Sequence, residues 1–262
     1  MGSRTINKAF ASDGALGSVI PGFQPRQPQL DMANAVDQAI EHQTQLVVEA
    51  GTGTGKTFAY LVPALLSGKK TIISTGSKNL QEQLFHRDLP LMVEALGFHG
   101  QVSLLKGRSN YLCLDRLSRQ MVESHTTETQ TDLLSQLVKV RSWSSETKSG
   151  DLGECDAIAE DSPIIPTITS TNDNCLGKEC PSYEDCFVLK ARRRALDSDV
   201  VVVNHHLFMA DLALKRPDLA SLFPKQTYSS STKRTRSQTL PVNTLVSPYR
   251  VAKFRICAKT SR

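Results

Sequence analysis

Residues 49–57 are Glu-Ala-Gly-Thr-Gly-Thr-Gly-Lys-Thr. This spacing matches the phosphate-binding loop, in which four residues separate a small residue from Gly-Lys-Thr. The glycines let backbone N–H groups curl around phosphate oxygens. We expect Lys56 to reach the β- and γ-phosphates and Thr57 to bind Mg²⁺, which makes these two the expected catalytic residues. The other expected nucleotide contacts in the loop are Gly51, Thr52, Gly53, Thr54 and Gly55.

The segments on either side of the loop supply the context that the motif requires. Residues 46–48 are a short apolar run that predicts a strand, and residues 56–66 predict a helix, which Pro63 should kink or end. This context favours a nucleotide site over a glycine-rich turn without a ligand. The alternation continues with a predicted strand, helix and strand at 71–74, 78–85 and 199–203. Such alternation predicts an α/β fold with a parallel sheet.

Upstream of the loop, residues 30–42 carry apolar side chains at helical spacing. Gln29 immediately precedes this segment, and its amide offers both a donor and an acceptor that could recognise the edge of adenine. A solvent-facing glutamine on an amphipathic helix is the alternative.

The charge of the chain is unevenly distributed. The 262 residues carry a formal net charge of +5, but residues 225–262 contain nine Lys or Arg and no Asp or Glu. The rest of the chain holds 22 basic and 26 acidic residues, a net of −4. The net charge therefore does not predict that the body of the chain binds DNA, because phosphate affinity depends on where the cations lie. The absence of an apolar run long enough for a membrane span or a secretory signal predicts a cytoplasmic protein.

Four of the six cysteines form a spaced set: Cys113, Cys175, Cys180 and Cys186. Disulfides are not expected in a reduced cytoplasm. The gaps of four and five residues in this set are wider than the C-x2-C hooks of zinc sites. Four thiolates can instead hold a [4Fe–4S] cluster. A cluster, a zinc site and simple burial of free cysteines are all compatible with the spacing.

Together these segments resemble the iron–sulfur DNA helicases of the DinG/YoaA type, bacterial relatives of XPD in helicase superfamily two, and within them the YoaA branch. The resemblance covers residues from about 14 to 224. Residues 26–32 are similar to the adenine-reading Q motif, 49–57 to the Walker A loop, and 73–84 to a motif that contacts single-stranded DNA. The last block combines residues 105–113 with the three later cysteines and residues 203–207.

The resemblance implies a RecA-like P-loop domain that carries an inserted iron–sulfur domain. Its first part would span residues 1–104, the insertion 105–195 and the return strand 196–224. The resemblance also implies ATP, Mg²⁺ and a [4Fe–4S] cluster as cofactors, with Arg26 and Gln29 contacting the nucleotide. The implied ligands of the cluster are Cys113, Cys175, Cys180 and Cys186.

The implied activity is ATP-driven translocation along single-stranded DNA with 5′-to-3′ unwinding in DNA repair. The implied partners are single-stranded or forked DNA and a replication or repair protein, and the expected protein is a monomer associated with the nucleoid and not with a membrane. Lys106, Arg108 and the run Arg192–Arg194 are candidates for phosphate contacts, although such a run also suits a solvated helix face. Two rival classes are a P-loop NTPase that is not a helicase and a non-enzymatic iron–sulfur fragment that binds nucleotide and DNA.

A helicase of this type also needs an Asp-Glu pair, usually within Asp-Glu-Ala-His, and this chain has no acidic residue after Asp218. We therefore expect a truncated chain with impaired or no activity on its own. Permitted codons for Ser230–Thr235, read from their third base, spell Val-Asp-Glu-Ala-His. Our hypothesis is that residues 225–262 are translated out of frame, and a disordered basic tail is the alternative.

Overall fold

The computed structural model describes residues 3–51, 53–124, 131–213, 228–234 and 253–258. The chain divides into two compact units, Met1–Leu105 with Ala195–Arg262, and Lys106–Arg194. The first unit contains the sheet, and the described elements of the second are helical. The described residues include no helix long and apolar enough to cross a membrane.

The first unit opens with three helices, a strand and a helix: α1 (Ser3–Ala9), α2 (Ala15–Val19), α3 (Gln27–His42), β1 (Leu46–Glu49) and α4 (Lys56–Leu66). The predicted apolar stripe of α3 is confirmed, since Met32, Val36 and Ile40 are buried against the core. Of the two effects expected at Pro63, a kink or the end of the helix, the end is not observed, because Pro63 lies inside α4. The helix continues to Leu66 because its residues from Ala59 to Leu65 are all buried, and this burial offsets the backbone hydrogen bond that proline cannot donate.

The chain then alternates between strands and helices as the sequence predicts. The elements are β2 (Thr71–Thr75), α5 (Lys78–Gln83), a π-helical turn (Leu84–Asp88), α6 (Leu89–Leu96), β3 (Val102–Leu105), and, after the second unit, β4 (Val200–Asn204) and α11 (His205–Ala213). All of β2 is buried, and so are the first four residues of β4. Parallel strands buried on both faces favour apolar and β-branched residues. This is why β4, a continuous apolar run of four valines, and β2, a β-branched run, are both visible in the sequence.

Six parallel strands form the described sheet, in the order β1-β6-β5-β2-β4-β3. In the register of β2 with β4, Ile73 lies opposite Val202. The strands β5 (Tyr228–Arg234) and β6 (Lys253–Ala258) lie within residues 225–262, for which the sequence analysis predicted no element. The parallel α/β class is confirmed, and the out-of-frame interpretation of that stretch stays a prediction.

The second unit is built from α7 (Leu114–Ser124), α8 (Thr131–Glu146), α9 (Ile165–Ile168) and most of α10 (Phe187–Asp197). Helix α7 packs against both α8 and α9. Its core includes Leu117, Val140 and Ile168, each fully buried. The four cysteines of the spaced set belong to this unit. The division of the chain into helicase and iron–sulfur domains at residues 105 and 195 stays a prediction.

Candidate nucleotide-binding site

The phosphate loop joins the carboxyl end of β1 to the amino end of α4. Gly55 immediately precedes α4 and has a left-handed backbone with a φ of 76°. A Cβ at this position would lie 2.0 Å from Nε2 of Gln29, so the amide of Gln29 would have to move to admit any other residue. Thr52 lies outside the described residues. The loop therefore has the strand–turn–helix context in which backbone N–H groups and a helix amino terminus can bind phosphate.

Lys56 folds back over the loop. Its ammonium donates to the carbonyl oxygens of Ala50 at 2.9 Å and Gly51 at 2.5 Å. The hydroxyl of Thr54 donates to the same Gly51 oxygen at 3.0 Å. Burial lowers the pKa of Lys56 from its ordinary value. The cation is thus kept within the loop by neutral carbonyl groups, and an anionic phosphate would be a stronger partner than either of them.

Two side chains of the segment before α3 and its first turn also hold the loop. The guanidinium of Arg26 donates to the carbonyl oxygen of Gly53 at 2.5 Å, and the amide of Gln29 donates to that of Gly55 at 3.0 Å. Gln29 is only 4% exposed, so the alternative of a solvent-facing glutamine is wrong. Beside these residues lies a cavity of about 210 Å³, lined by Gly22, Phe23, Gln24, Arg26, Gln29, Gly55 and Phe58. This open cleft offers two aromatic rings and three polar side chains beside the loop.

Polar side chains also meet at the carboxyl ends of β2 and β4. Ser74 Oγ lies 2.7 Å from Nδ1 of His205. The side-chain oxygen of Asn204 accepts the backbone N–H of His206 at 2.7 Å and so caps the amino end of α11. These contacts give His205 a partner on the neighbouring strand.

Sequence reasoning missed two buried polar residues near these elements. Gln81 on α5 is 1% exposed and donates to the carbonyl oxygens of Leu105 at 3.1 Å and Val202 at 3.5 Å. Tyr60 on α4 is 3% exposed, and burial raises the pKa of its phenol. No spacing pattern in the sequence marks either residue as a buried polar side chain.

Comparison with known proteins identifies the family. Residues 31–149 match the DEAD/DEAH box helicase family. The chain is 58% identical over 216 residues to the ATP-dependent DNA helicase YoaA of Escherichia coli strain K12 and 56% identical over 219 residues to that of Haemophilus influenzae. It is 38% identical over 229 residues to the ATP-dependent helicase DinG of Mycobacterium tuberculosis. The chain belongs to the DinG/YoaA family of helicases.

The alignments cover different shares of the two sequences. They include 82%, 84% and 80% of this chain for the three relatives, respectively. They include only 34% of each relative, so the chain spans about a third of the length of these DinG/YoaA proteins.

The four cysteines that the DinG/YoaA resemblance assigns to a cluster are all free and half-buried. Burial raises the pKa of Cys113, and the neighbouring Cys180 and Cys186 raise it further. Among the described residues, no three His, Cys, Asp or Glu side chains are grouped closely enough to hold a metal ion. The donor set is chemically suited to iron–sulfur ligation, since it consists of four thiols in one unit. The assignment of these thiols to a metal site stays a prediction.

Arg108 and Lys106, both candidates for DNA phosphate contacts, have partners within the second unit. Arg108 donates to Sγ of Cys175 at 3.0 Å, and its Nε is buried with no hydrogen-bond partner among the described residues. Lys106 forms a buried ion pair with Asp151 at 2.5 Å. The backbone N–H of Gly177 lies 3.5 Å from Sγ of Cys175 and points a second donor at that sulfur. Both basic side chains therefore have a partner within the second unit, Cys175 for Arg108 and Asp151 for Lys106.

Proposed function

We propose that this chain binds ATP with Mg²⁺ at residues 50–57 and is the nucleotide-binding part of an ATP-dependent DNA helicase. The observation that carries the proposal is the geometry of the phosphate loop, with Gly55 at the amino end of α4 and the Lys56 ammonium inside the loop. Membership of the DinG/YoaA family makes a helicase the expected use of such a site.

Each residue of the site has a distinct role in this proposal. Lys56 exchanges its two carbonyl contacts for the β- and γ-phosphates, which neutralises part of their charge. Backbone N–H groups of residues 51–55 bind phosphate oxygens, and Arg26 and Gln29 contact the nucleotide at the cavity beside the loop. The oxygen of Thr57 is the expected ligand of Mg²⁺, which supplies charge neutralisation on the phosphates when it is bound.

Equilibrium binding of a fluorescent ATP analogue tests the nucleotide site. We expect Lys56→Ala to weaken binding by at least about tenfold, because the variant loses a charge-assisted contact to phosphate. Lys139→Ala is the matched control, since Lys139 is an exposed lysine on α8 of the second unit. Equal affinity of Lys56→Ala and the unaltered chain would contradict the proposal.

Hydrolysis and DNA coupling need a second assay. We expect the 262-residue chain to hydrolyse ATP poorly, because it supplies no acidic residue after Asp218 to position water. An arginine finger from a further domain is typically worth about 10³-fold or more. Robust ATP turnover that rises with single-stranded DNA would show that the chain is an active helicase motor by itself.

Filter binding of single-stranded DNA over a salt series distinguishes a DNA-binding protein from an NTPase that ignores DNA, because phosphate contacts weaken steeply with salt.

We further propose that Cys113, Cys175, Cys180 and Cys186 hold a [4Fe–4S] cluster, and that residues 105–195 are the inserted domain built around it. The proposal is supported by four free thiols in one unit and by the Arg108 guanidinium beside Cys175, because a cluster with four thiolates carries net negative charge. When bound, the cluster would cross-link the segments that carry the cysteines. Anaerobic purification with iron analysis tests this: close to four irons per chain supports it, whereas zinc or no metal refutes it.

A further inference from the structure

A short exposed stretch follows β2 at the carboxyl end of the strand. Every residue of β2 is buried, whereas residues 76–80, Gly-Ser-Lys-Asn-Leu, are all exposed. These five residues, the exposed segment, lead into α5, and the hydroxyl of Ser77 caps that helix by accepting the backbone N–H of Leu80 at 3.2 Å. Ligands of parallel α/β sheets bind at the carboxyl ends of the strands. The exposed segment, with its lysine Lys78, therefore lies where a ligand can reach it.

The residue that follows the exposed segment is a buried anchor. Gln81 is only 1% exposed, and its amide donates to the carbonyl oxygens of Leu105 at the end of β3, at 3.1 Å, and of Val202 on β4, at 3.5 Å. Its backbone N–H donates to the carbonyl oxygen of Ser77 at 3.1 Å. One side chain thus fastens α5, just after the exposed segment, to two neighbouring strands of the sheet.

The residue that precedes the exposed segment is anchored as well. Thr75, the last residue of β2, is fully buried, and its hydroxyl donates to the carbonyl oxygen of Ser77 at 3.3 Å. The Ser77 carbonyl therefore accepts from the residues on both sides of the segment. A stretch that is already ordered loses less conformational entropy on binding. Backbone N–H groups and a lysine held in this way suit an anion, and DNA offers its backbone phosphates.

We infer that Gln81 and Thr75 are positioning residues that hold the exposed segment in place for a DNA phosphate contact. Both side chains are too deeply buried to touch DNA themselves, so they act through the backbone of residues 76–80 and through Lys78. The inference rests on the DNA part of the proposed function, because it names the segment that DNA contacts. The contacts that carry it do not include the phosphate loop, so nucleotide affinity provides a separate measurement.

Affinity of the full chain for single-stranded DNA tests the inference. A labelled thymidine oligonucleotide is titrated and its fluorescence anisotropy is followed at several salt concentrations. Gln81→Met keeps a side chain of similar length and removes the donor, and we expect DNA affinity to fall about threefold to tenfold, the size of one hydrogen bond. Affinity for a fluorescent ATP analogue should stay unchanged. Gln83→Met is the matched control, since Gln83 is an exposed glutamine on the same helix, and it should bind DNA like the unaltered chain.

A double-mutant cycle with Lys78 separates positioning from a general loss of stability. Lys78→Ala should weaken DNA binding and reduce its salt dependence, the slope of log K against log salt, by about one. In this background Gln81→Met should cost less than in the unaltered chain, because part of the contact that it positions is gone. An equal cost in both backgrounds, or a matching loss of ATP-analogue affinity, would leave Gln81 a purely structural role and overturn the inference.

Amide hydrogen exchange measures the anchoring without DNA. In Gln81→Met the amides of Leu80 and of residue 81, which donate to Ser77, should exchange at least about threefold faster than in Gln83→Met. Equal exchange in the two variants overturns the inference whatever the DNA result. An unaltered chain that binds the ATP analogue but no DNA would instead contradict the DNA part of the proposed function, and the inference with it.

Thr75→Val is a second variant, in case Gln81→Met does not fold as judged by its thermal midpoint. It keeps the shape of the side chain and removes the hydroxyl that holds the Ser77 carbonyl. We expect DNA affinity to fall by about twofold to fivefold with ATP-analogue affinity unchanged. Full DNA affinity of Thr75→Val, when Gln81→Met cannot be measured, overturns the inference.

Discussion

The amide of Gln29 donates to the carbonyl oxygen of Gly55 at 3.0 Å, and the Cα of Gly55 comes so near that a Cβ would overlap Nε2. We therefore predict that Gly55→Ala is destabilised by about 2 kcal/mol or more and loses nucleotide affinity. The left-handed backbone alone costs about 1–2 kcal/mol for a residue with a Cβ. In addition, the displaced Gln29 amide loses its hydrogen bond to the carbonyl oxygen of residue 55. Urea unfolding and nucleotide titration measure the two effects.

Gly68→Ala is the control for this prediction. Gly68 also has a positive φ, of 63°, but no atom lies within 4 Å of its added Cβ. It should show only the backbone cost and retain nucleotide binding. A Gly55→Ala variant no worse than Gly68→Ala would contradict the role of the contact with Gln29.

The lowered pKa of Lys56 predicts a pH dependence of binding. Burial disfavours the charged form, so Lys56 loses its proton below the usual 10.5, and a bound phosphate raises the pKa again. Nucleotide affinity, measured in EDTA, should then fall as the pH rises through the lowered pKa. Lys56→Arg should bind with a flatter profile over the same range, because a guanidinium stays charged. The same slope in both proteins would assign the titration to another group.

The sequence predicted the parts of the fold and site in which local pattern and burial agree. The phosphate loop has a fixed spacing, β4 is a run of four valines, and β2 is a β-branched run, as expected for strands that are buried on both faces. Gln29 could only be offered as one of two alternatives, because a glutamine on a helix gives no local signal of whether tertiary packing buries it. The possibility that Pro63 ends α4 was not realised for the same reason, since the packing of α4 outweighs a local preference.

The sequence does not show which distant segments contact each other. Lys106 is a candidate for a DNA phosphate contact, and nothing in the sequence indicates its partner Asp151, which lies 45 positions away and is reached only through the fold of the second unit. Strand β5 has no apolar alternation that marks it, and β6, in which Phe254 and Ile256 alternate with Lys253 and Arg255, was missed because its stretch was interpreted as translated out of frame. Charge alone indicates neither a partner nor a depth, and the assignment of Lys106 and Arg108 to DNA stays a prediction.

The out-of-frame hypothesis for residues 225–262 predicts a definite nucleotide sequence. Codons for Ser230–Thr235 should spell Val-Asp-Glu-Ala-His when they are read from their third base. Restoring that frame would place the water-positioning acidic pair after the first four residues of the β5 stretch. Sequencing the gene decides the matter, since most synonymous codon choices would not encode the motif.

The ion pair between Lys106 and Asp151 predicts a large stability effect in the second unit. Their side chains are 12% and 7% exposed, and Asp151 also accepts the N–H of Gly153 at 3.0 Å. Asp151→Ala should lower the free energy of unfolding by about 3–5 kcal/mol, because it leaves the Lys106 ammonium buried without its counter-charge. The exposed pair Lys190–Asp185 provides the control, and Asp185→Ala should cost less than about 1 kcal/mol. Urea unfolding of both variants measures the difference, and equal small losses would mean that water reaches Lys106 and replaces the carboxylate.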